Sequence, residues 1–355
     1  MSTDRISLYD QSGIDRLRRQ QRIDPRCMRQ LRTRLLKHFE SDEVVWEAMR
    51  SQGQGAWLDR LGLHSLEFYQ RRDSSLDGAT KLLLRTARGM LLETVLLRIA
   101  TGRTTLCVSS QVGCAAACDF CATGKMGLAH NLSAEEILDQ VLRAGQLLAA
   151  EDRRLKNIVF MGMGEPFHNE EHLHRALAAL TAPELFHHSP RKVLVSTVGI
   201  PEAMVRCARR FPEVNLALSL HSVRPAVRER LIPLAKKYPL EALRGALAAL
   251  NRVQRVPVMI EYLMLAGIND SLEDARELIA WLDGLRVHVN LIPYNAIDDA
   301  PHWQGSDRPT RDVFAGLLKQ AGMTTTIRYS LGADIAAACG QLVRRENRQV
   351  ASTLR

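Results

Sequence analysis

Residues 114–121 read Cys114-Ala-Ala-Ala-Cys118-Asp-Phe-Cys121, and the C-x3-C-x2-C spacing of these cysteines decides how the rest of the chain is read. Cube-type [4Fe–4S] clusters normally take four cysteine thiolates. Three closely spaced thiolates hold three irons and leave the fourth open to a ligand. A structural zinc site would instead want four ligands, usually as paired C-x2-C units. No fourth cysteine stands nearby, and the nearest histidine, His130, falls in a Gly-Leu-Ala-His run read as a turn. The open-iron cluster is the better reading.

The triad follows a strand-like run, TTLCVSSQ at 104–111, and the pattern repeats downstream. Further strands are predicted near 157–163, 192–197, 214–220, 258–264, 287–292 and 324–329. Between them lie amphipathic helices near 133–150, 170–181, 201–210, 240–252, 271–283 and 309–320. Ser133 and Glu136 form the capping box of the first helix. Repeated β–helix–β units imply parallel strands with right-handed crossovers. The expected fold class is therefore α/β, a partial (β/α)6-type, TIM-like barrel. Active residues in such barrels stand at the C-terminal ends of strands, where the triad falls. Residues 1–85 read as a small helical domain, with Leu31, Leu35, Leu36 and Phe39 at helical spacing, and 86–355 as the barrel with a C-terminal loop.

The chain has 355 residues, 46% of them hydrophobic, which suits a globular protein. No apolar run approaches the roughly 18 residues needed to span a bilayer, and the N-terminus lacks a signal core, so a cytoplasmic, non-membrane protein is expected. Seven cysteines in such a chain point to metal binding or catalysis rather than a disulfide framework. The net charge of +9 is uneven: residues 1–40 carry ten Lys or Arg against five acids. Further basic pairs are Arg153-Arg154, Arg209-Arg210, Lys236-Lys237 and Arg344-Arg345. An anionic partner such as RNA fits this excess, and so does an Arg-rich solvated face.

Other chemical signals stand at strand ends. Gly162-Met-Gly164-Glu165-Pro166 closes the second strand. Its small residues let a ligand approach, and Glu165 could accept from an ammonium, such as the amino-acid end of S-adenosylmethionine (SAM), the known user of an open-iron triad. Ser196, Ser219, His221 and Asn295 sit at or past later strand ends. Singly each would satisfy nearby backbone; together they could ring a ribose, a carboxylate and an adenine. Cys339, in the small-residue run 332–342, reads either as a buried structural cysteine or as a nucleophile on a loop. Cys107 lies in the first strand, seven residues before the triad, while Cys27 and Cys207 read as structural cysteines of helices.

From about Glu93 to Leu342 the chain resembles the radical-SAM adenine methyltransferases of RNA, the RlmN/Cfr group. The resemblance rests on LCVSSQVGC (106–114), CDFCATG (118–124), FMGMGEP (160–166), STVGI (196–200), LSLHS (218–222), NLIPYN (290–295) and ACGQL (338–342). It implies that Cys114, Cys118 and Cys121 ligate one [4Fe–4S] cluster. SAM contacts would come from Gly164, Glu165, Ser196, Ser219, Leu220, His221 and Asn295. Cys339 would be the methylated cysteine, Cys107 its partner in a transient disulfide, and Glu93 the proton acceptor. Two features depart from the group: residues 1–85 resemble its accessory domain only loosely, and Ala336 replaces a usual Asp.

The resemblance also implies a chemistry. Carbons C2 and C8 of adenine are electrophilic, so direct attack on a SAM methyl is closed to them. Two SAM molecules per turnover answer this: one methylates Cys339, and the other yields a radical that activates the new methyl for addition to the ring. Attack by Cys107 on the Cys339 sulfur then frees the product. The expected activity is C2 methylation of an adenine in 23S ribosomal RNA, with transfer RNA as a second substrate and C8 methylation, which confers ribosome-antibiotic resistance, as the alternative. The expected partners are RNA, docked in part on the basic N-terminal region, and an electron donor such as flavodoxin; the expected state is a monomer. A radical-SAM enzyme that modifies proteins, and a non-catalytic metal-bearing RNA binder, are the rival classes.

Overall fold

The structure is a computed structural model that describes residues 5–341. Leu342, the Arg344-Arg345 pair and the rest of the tail lie outside the described residues. One ten-stranded sheet organises the chain: β1 (Glu67–Asp73), β2 (Ala79–Arg85), β3 (Leu91–Arg98), β4 (Thr104–Cys107), β5 (Asn157–Phe160), β6 (Val193–Thr197), β7 (Asn215–Ser219), β8 (Val258–Met264), β9 (Val287–Pro293) and β10 (Thr324–Ile327). Each strand pairs with its neighbour in sequence, from β1 at one edge to β10 at the other. Strands β1 to β4 run antiparallel, and β4 to β10 are all parallel.

The seven parallel strands stand where the apolar runs place them. Helices return the chain between them: α4 (Ala134–Ala150), α5 (Glu170–Thr181), α6 (Pro201–Arg210), α7 (Leu240–Val253), α8 (Leu272–Leu282) and α9 (Arg308–Gln320). The Ser133–Glu136 capping box is formed: the Glu136 amide donates to Ser133 Oγ at 3.1 Å, and the Ser133 amide donates to Glu136 at 2.8 Å. Cys27 and Cys207 are helical, as expected. His130 is in a short strand, Leu128–Asn131, rather than a turn. It pairs antiparallel with Gln111–Gly113 on the far side of the cysteine loop.

The N-terminal expectation is corrected. Residues 5–51 are helical in the main, with α1 (Gln11–Gln20), α2 (Pro25–Arg32, prolonged by a π turn to Lys37) and α3 (Asp42–Ser51). Residues 67–85, however, are β1 and β2, and the expected boundary at 85/86 cuts between two paired strands. The physical reason is burial. Strand β2 is covered on both faces, so Leu82-Leu83-Leu84 shows no period-two alternation. Strand β1 is exposed throughout and shows no apolar pattern at all. Nor do the N-terminal helices own a separate core. Leu31, Leu35 and Val45 belong to one continuous apolar cluster with Leu138, Leu142 and the barrel strands. Among the described residues no helix is long and apolar enough to cross a membrane.

Candidate active site

The cysteine loop is built by backbone that only small residues tolerate. Gly113 takes φ +79, and a Cβ there would collide with the carbonyl of Gly127. Asp119, between the second and third cysteines, anchors the loop from outside. It accepts from Lys125, from His302 Nε2 at 2.9 Å and from Trp303 Nε1 at 2.8 Å. Burial raises its pKa, but these donors prevail and hold the carboxyl below its usual range. Cys114, Cys118 and Cys121 line one cavity of 150 Å³ with Gly164, Glu165, Ser196, Ser219, His221, Glu261, Arg328 and Cys339.

The donor set fits a cube rather than a lone ion. Among the described residues no group of three His, Cys, Asp or Glu gathers tightly enough to hold a single metal. His130 is turned to Glu136, 3.5 Å away. A cube spreads its three thiolates over three irons and asks for no common centre. Burial pushes all three thiols up, Cys114 to about 12, so each would ionise only as a bound cation replaces its proton.

Around this cavity the strand ends deliver most of the expected residues. Gly164 has φ +105, and a Cβ would lie 2.6 Å from the Gln111 side chain, so glycine is required for the chain to reach Glu165. Glu165 accepts from the amides of Val198 (2.9 Å) and Phe167 (3.1 Å); burial nonetheless raises its pKa to about 7. Ser196 Oγ donates to Glu261 at 3.2 Å and stands 3.4 Å from Ser219 Oγ. His221 is held neutral, burial and then the Arg228 charge lowering its pKa to about 3, and its Nδ1 accepts from the Leu263 amide. Arg228, itself buried, donates to the carbonyls of Ser219, Leu220 and Val198 and ties two strand ends together.

Two expected SAM contacts stand elsewhere. The Leu220 side chain is packed in the main apolar core, because the chain alternates there and its neighbours Ser219 and His221 take the cavity side. Asn295 does not line the cavity. Its Nδ2 donates to Ser330 Oγ (3.0 Å) and to the Cys339 carbonyl (3.1 Å), so it holds the cysteine loop.

Cys339 and Cys107 are brought together although 232 positions separate them in sequence. Both line an interior cavity of 690 Å³, and Cys339 also lines the smaller one. The amide of Ala122, next to Cys121, donates to the Gly340 carbonyl at 2.8 Å and locks the Cys339 loop to the triad. Burial, followed by the nearby Cys339, raises the Cys107 pKa to about 12. Glu93 is fully buried on β3, two residues from Val95, the register partner of Cys107. Its carboxylate lies 3.5 Å from Lys81 Nζ, which also donates to the Ala336 carbonyl at 3.0 Å. The hairpin between β1 and β2 grips the same loop: Asp334 accepts from Ser74 Oγ (2.7 Å) and the Ser75 amide (2.9 Å), and Asp77 accepts from the Gly332 amide (2.8 Å).

Sequence reasoning missed Glu261, Arg328 and Lys81. Glu261 had a signal, a single acid in the apolar strand VMIEYLM. Arg328 follows the last strand, 4.0 Å from Glu261. Lys81 had none, since it lies in the segment misread as helical.

Against known proteins, residues 108–282 match the model of the radical SAM superfamily. A probable RNA methyltransferase of Rhodopirellula baltica is 58% identical over 99% of this chain and 91% of its own length. The dual-specificity RNA methyltransferase RlmN of Magnetococcus marinus is 45% identical over 76% of this chain and 74% of its own. The chain belongs to the RlmN group of radical SAM RNA methyltransferases. Its fold matches the crystal structure of a radical SAM methyltransferase from Sphaerobacter thermophilus, with a TM-score of 0.87 and 36% identity over 96% of this chain and 99% of that one.

Proposed function

We propose that this chain methylates an adenine carbon, C2 in the first instance, in 23S ribosomal RNA and secondarily in transfer RNA, by way of a methylated Cys339. The observation that carries the proposal is the position of Cys339, which faces the cysteine triad on one side and Cys107 on the other. The relatives' names support RNA as the substrate, and Gly164-Glu-Pro166 with Leu291-Ile-Pro293, which resemble the C2 branch, favour C2.

Cys114, Cys118 and Cys121 would hold the [4Fe–4S] cluster. Bound there with SAM, it supplies carbon-centred radical chemistry. Glu165 is the acceptor for the SAM ammonium, and Ser196, Ser219 and His221 line its remaining contacts. The Cys339 sulfur carries the methyl that becomes the new carbon on the ring. Arg328, half-buried and lining the cavity with both cysteines, supplies a fixed positive charge that works against the burial penalty on the Cys107 thiolate. Glu93, fully buried and outside the cavity lining, is the final acceptor of the ring proton in this reading, reached through a relay rather than by direct contact. Cys107 then attacks the Cys339 sulfur, the sulfur–carbon bond to the product breaks, and a Cys107–Cys339 disulfide remains. Two electrons from an external donor, flavodoxin in type, would restore both thiols. The exposed arginines of α1 and α2 are part of the proposal as an outer contact for RNA.

The test is Cys339→Ala in a host lacking its own enzyme. Iron content and reductive SAM cleavage should persist, while methyladenosine disappears from digests of ribosomal RNA. Methylation by that variant would refute the mechanism. With the unaltered chain, mass spectrometry of the same digests separates 2-methyl- from 8-methyladenosine. The C8 reading keeps a place because STVGI (196–200) and Ser189-Pro-Arg191 resemble that branch.

A further inference from the structure

The interior cavity has a second mouth. Its lining begins at the residues that enter the strands: Ile99 and Arg103 before β4, Asn157 at the start of β5, Arg191 and Lys192 before β6, and Pro257 before β8. It ends at Cys107, Arg328 and Cys339. Arg103 to Cys107 spans four residues of strand, about 13 Å at roughly 3.3 Å each. The cavity thus runs the height of the barrel, from the N-terminal ends of its strands to the cysteine pair.

Its charge is one-sided. Arg103, Arg191, Lys192 and Arg328 line it, and no Asp or Glu does, in a chain with 39 acids. Arg103, Arg191 and Lys192 are exposed at the mouth. Arg191 shares its charge with Glu213, 2.8 Å away and outside the lining, whereas no ion pair is formed by Arg103 or Lys192 among the described residues. Inward from the mouth the wall is apolar and amide-bearing: Val95, Val159, Leu194, Met259 and Asn290. Cations outside with apolar and amide groups inside suit a nucleotide, whose phosphates stay at the rim while the base enters. The volume of 690 Å³ lies within the range of ligand pockets, about 300–1,000 Å³.

We infer that the target adenine reaches Cys339 from below, through this acid-free cavity, and that Arg103 and Lys192 hold the flanking phosphates of the RNA at its mouth. The inference rests on the RNA-methylation reading and adds the route. Cofactor and substrate then approach Cys339 from opposite sides. The methyl is loaded from the triad side and delivered on the Cys107 side, and the RNA displaces nothing from the cluster. A nucleotide must leave its stack to enter, as in other enzymes that act on a base.

The experiment uses the full chain, reconstituted with its cluster, and an unmodified 23S ribosomal RNA transcript. In Arg103→Glu/Lys192→Glu the Kd for this RNA should rise at least tenfold at 0.15 M salt. The slope of log K against log salt should become shallower by about 1.4, two single-stranded phosphate contacts at about 0.7 each. SAM cleavage without RNA should stay within twofold of wild type. An unchanged Kd and slope would overturn the route. Leu194→Trp narrows the cavity without altering charge; it should keep SAM cleavage and lose RNA methylation at least 50-fold, and wild-type methylation would overturn the route again. Ribonuclease-resistant methyl label beyond the single methyl that Cys339 itself carries would show a protein substrate in the cavity and overturn it as well. If the wild-type chain methylates no RNA, the functional reading fails; if it methylates RNA and the variants match it, only the route fails.

Discussion

Lys81 joins two parts of the proposed reaction that the chain carries far apart. Its ammonium sits against the Glu93 carboxylate and the Ala336 carbonyl, three residues before Cys339. Breaking a buried pair from one side leaves the other charge poorly compensated, a loss of about 3 kcal/mol. Lys81→Met should therefore lower the melting temperature, and Lys81→Met/Glu93→Gln should recover much of the loss; calorimetry of the two proteins decides it. RNA methylation should be low in both. The residues that sequence could supply at this scale were those whose chemistry is unusual wherever they stand: three spaced cysteines, a Gly-Glu-Pro turn, a cysteine among alanines. Lys81 is an ordinary residue made unusual by burial, and Arg328 by its place beside Glu261 and the cysteine pair; no local pattern reports either. Leu220 shows the converse, a residue inside a true motif whose side chain the strand alternation sends into the core.

The parallel strands were legible as elements because each is a short apolar run bounded by turns, with an amphipathic helix after it. The antiparallel hairpin was not, since one of its strands is buried on both faces and the other is exposed along its length. That hairpin has a functional consequence. Its turn, Ser74 to Asp77, holds the segment 332–334 by four hydrogen bonds, three of them to Asp334. Asp334→Ala should release the cysteine loop at one end, while Asn295 and the Ala122 amide still hold the other. Methyl transfer to RNA is then expected to slow about tenfold, with SAM cleavage unaffected and the melting temperature nearly unchanged. Equal slowing of both activities would argue against a role confined to the loop.

Across the whole molecule, the N-terminal helices are fastened to the barrel by His64. Its Nδ1 lies 2.5 Å from Asp139 of α4 and its Nε2 2.8 Å from Asp42 of α3. Burial pushes the imidazole pKa down, but the two carboxylates outweigh it and raise it from 6.5 to about 9. The group binds its proton more tightly when folded, so its stabilisation is complete below about pH 6.5 and fades as pH rises through 9. Thermal melts should show a loss of about 2–3 kcal/mol between pH 6.5 and 9.5, and His64→Gln should remove that slope. A pH-independent melt would rule the latch out. The sequence-based boundary at 85/86 failed here for the same reason the latch exists: helices and barrel bury one core in common.

The strand order has a consequence for biosynthesis. Every strand pairs with the one made just before it, so the sheet can be laid down from β1 to β10 as the chain leaves the ribosome. The Cys339 loop is the exception, because it must return to the Ser74–Asp77 turn and to Lys81, contacts spanning about 255 residues. The first hairpin made waits for a segment that follows the whole sheet in sequence. A nascent chain stalled before Gly332 would hold an almost complete barrel that still lacks Cys339, so on the proposed mechanism the sheet forms before the enzyme can act.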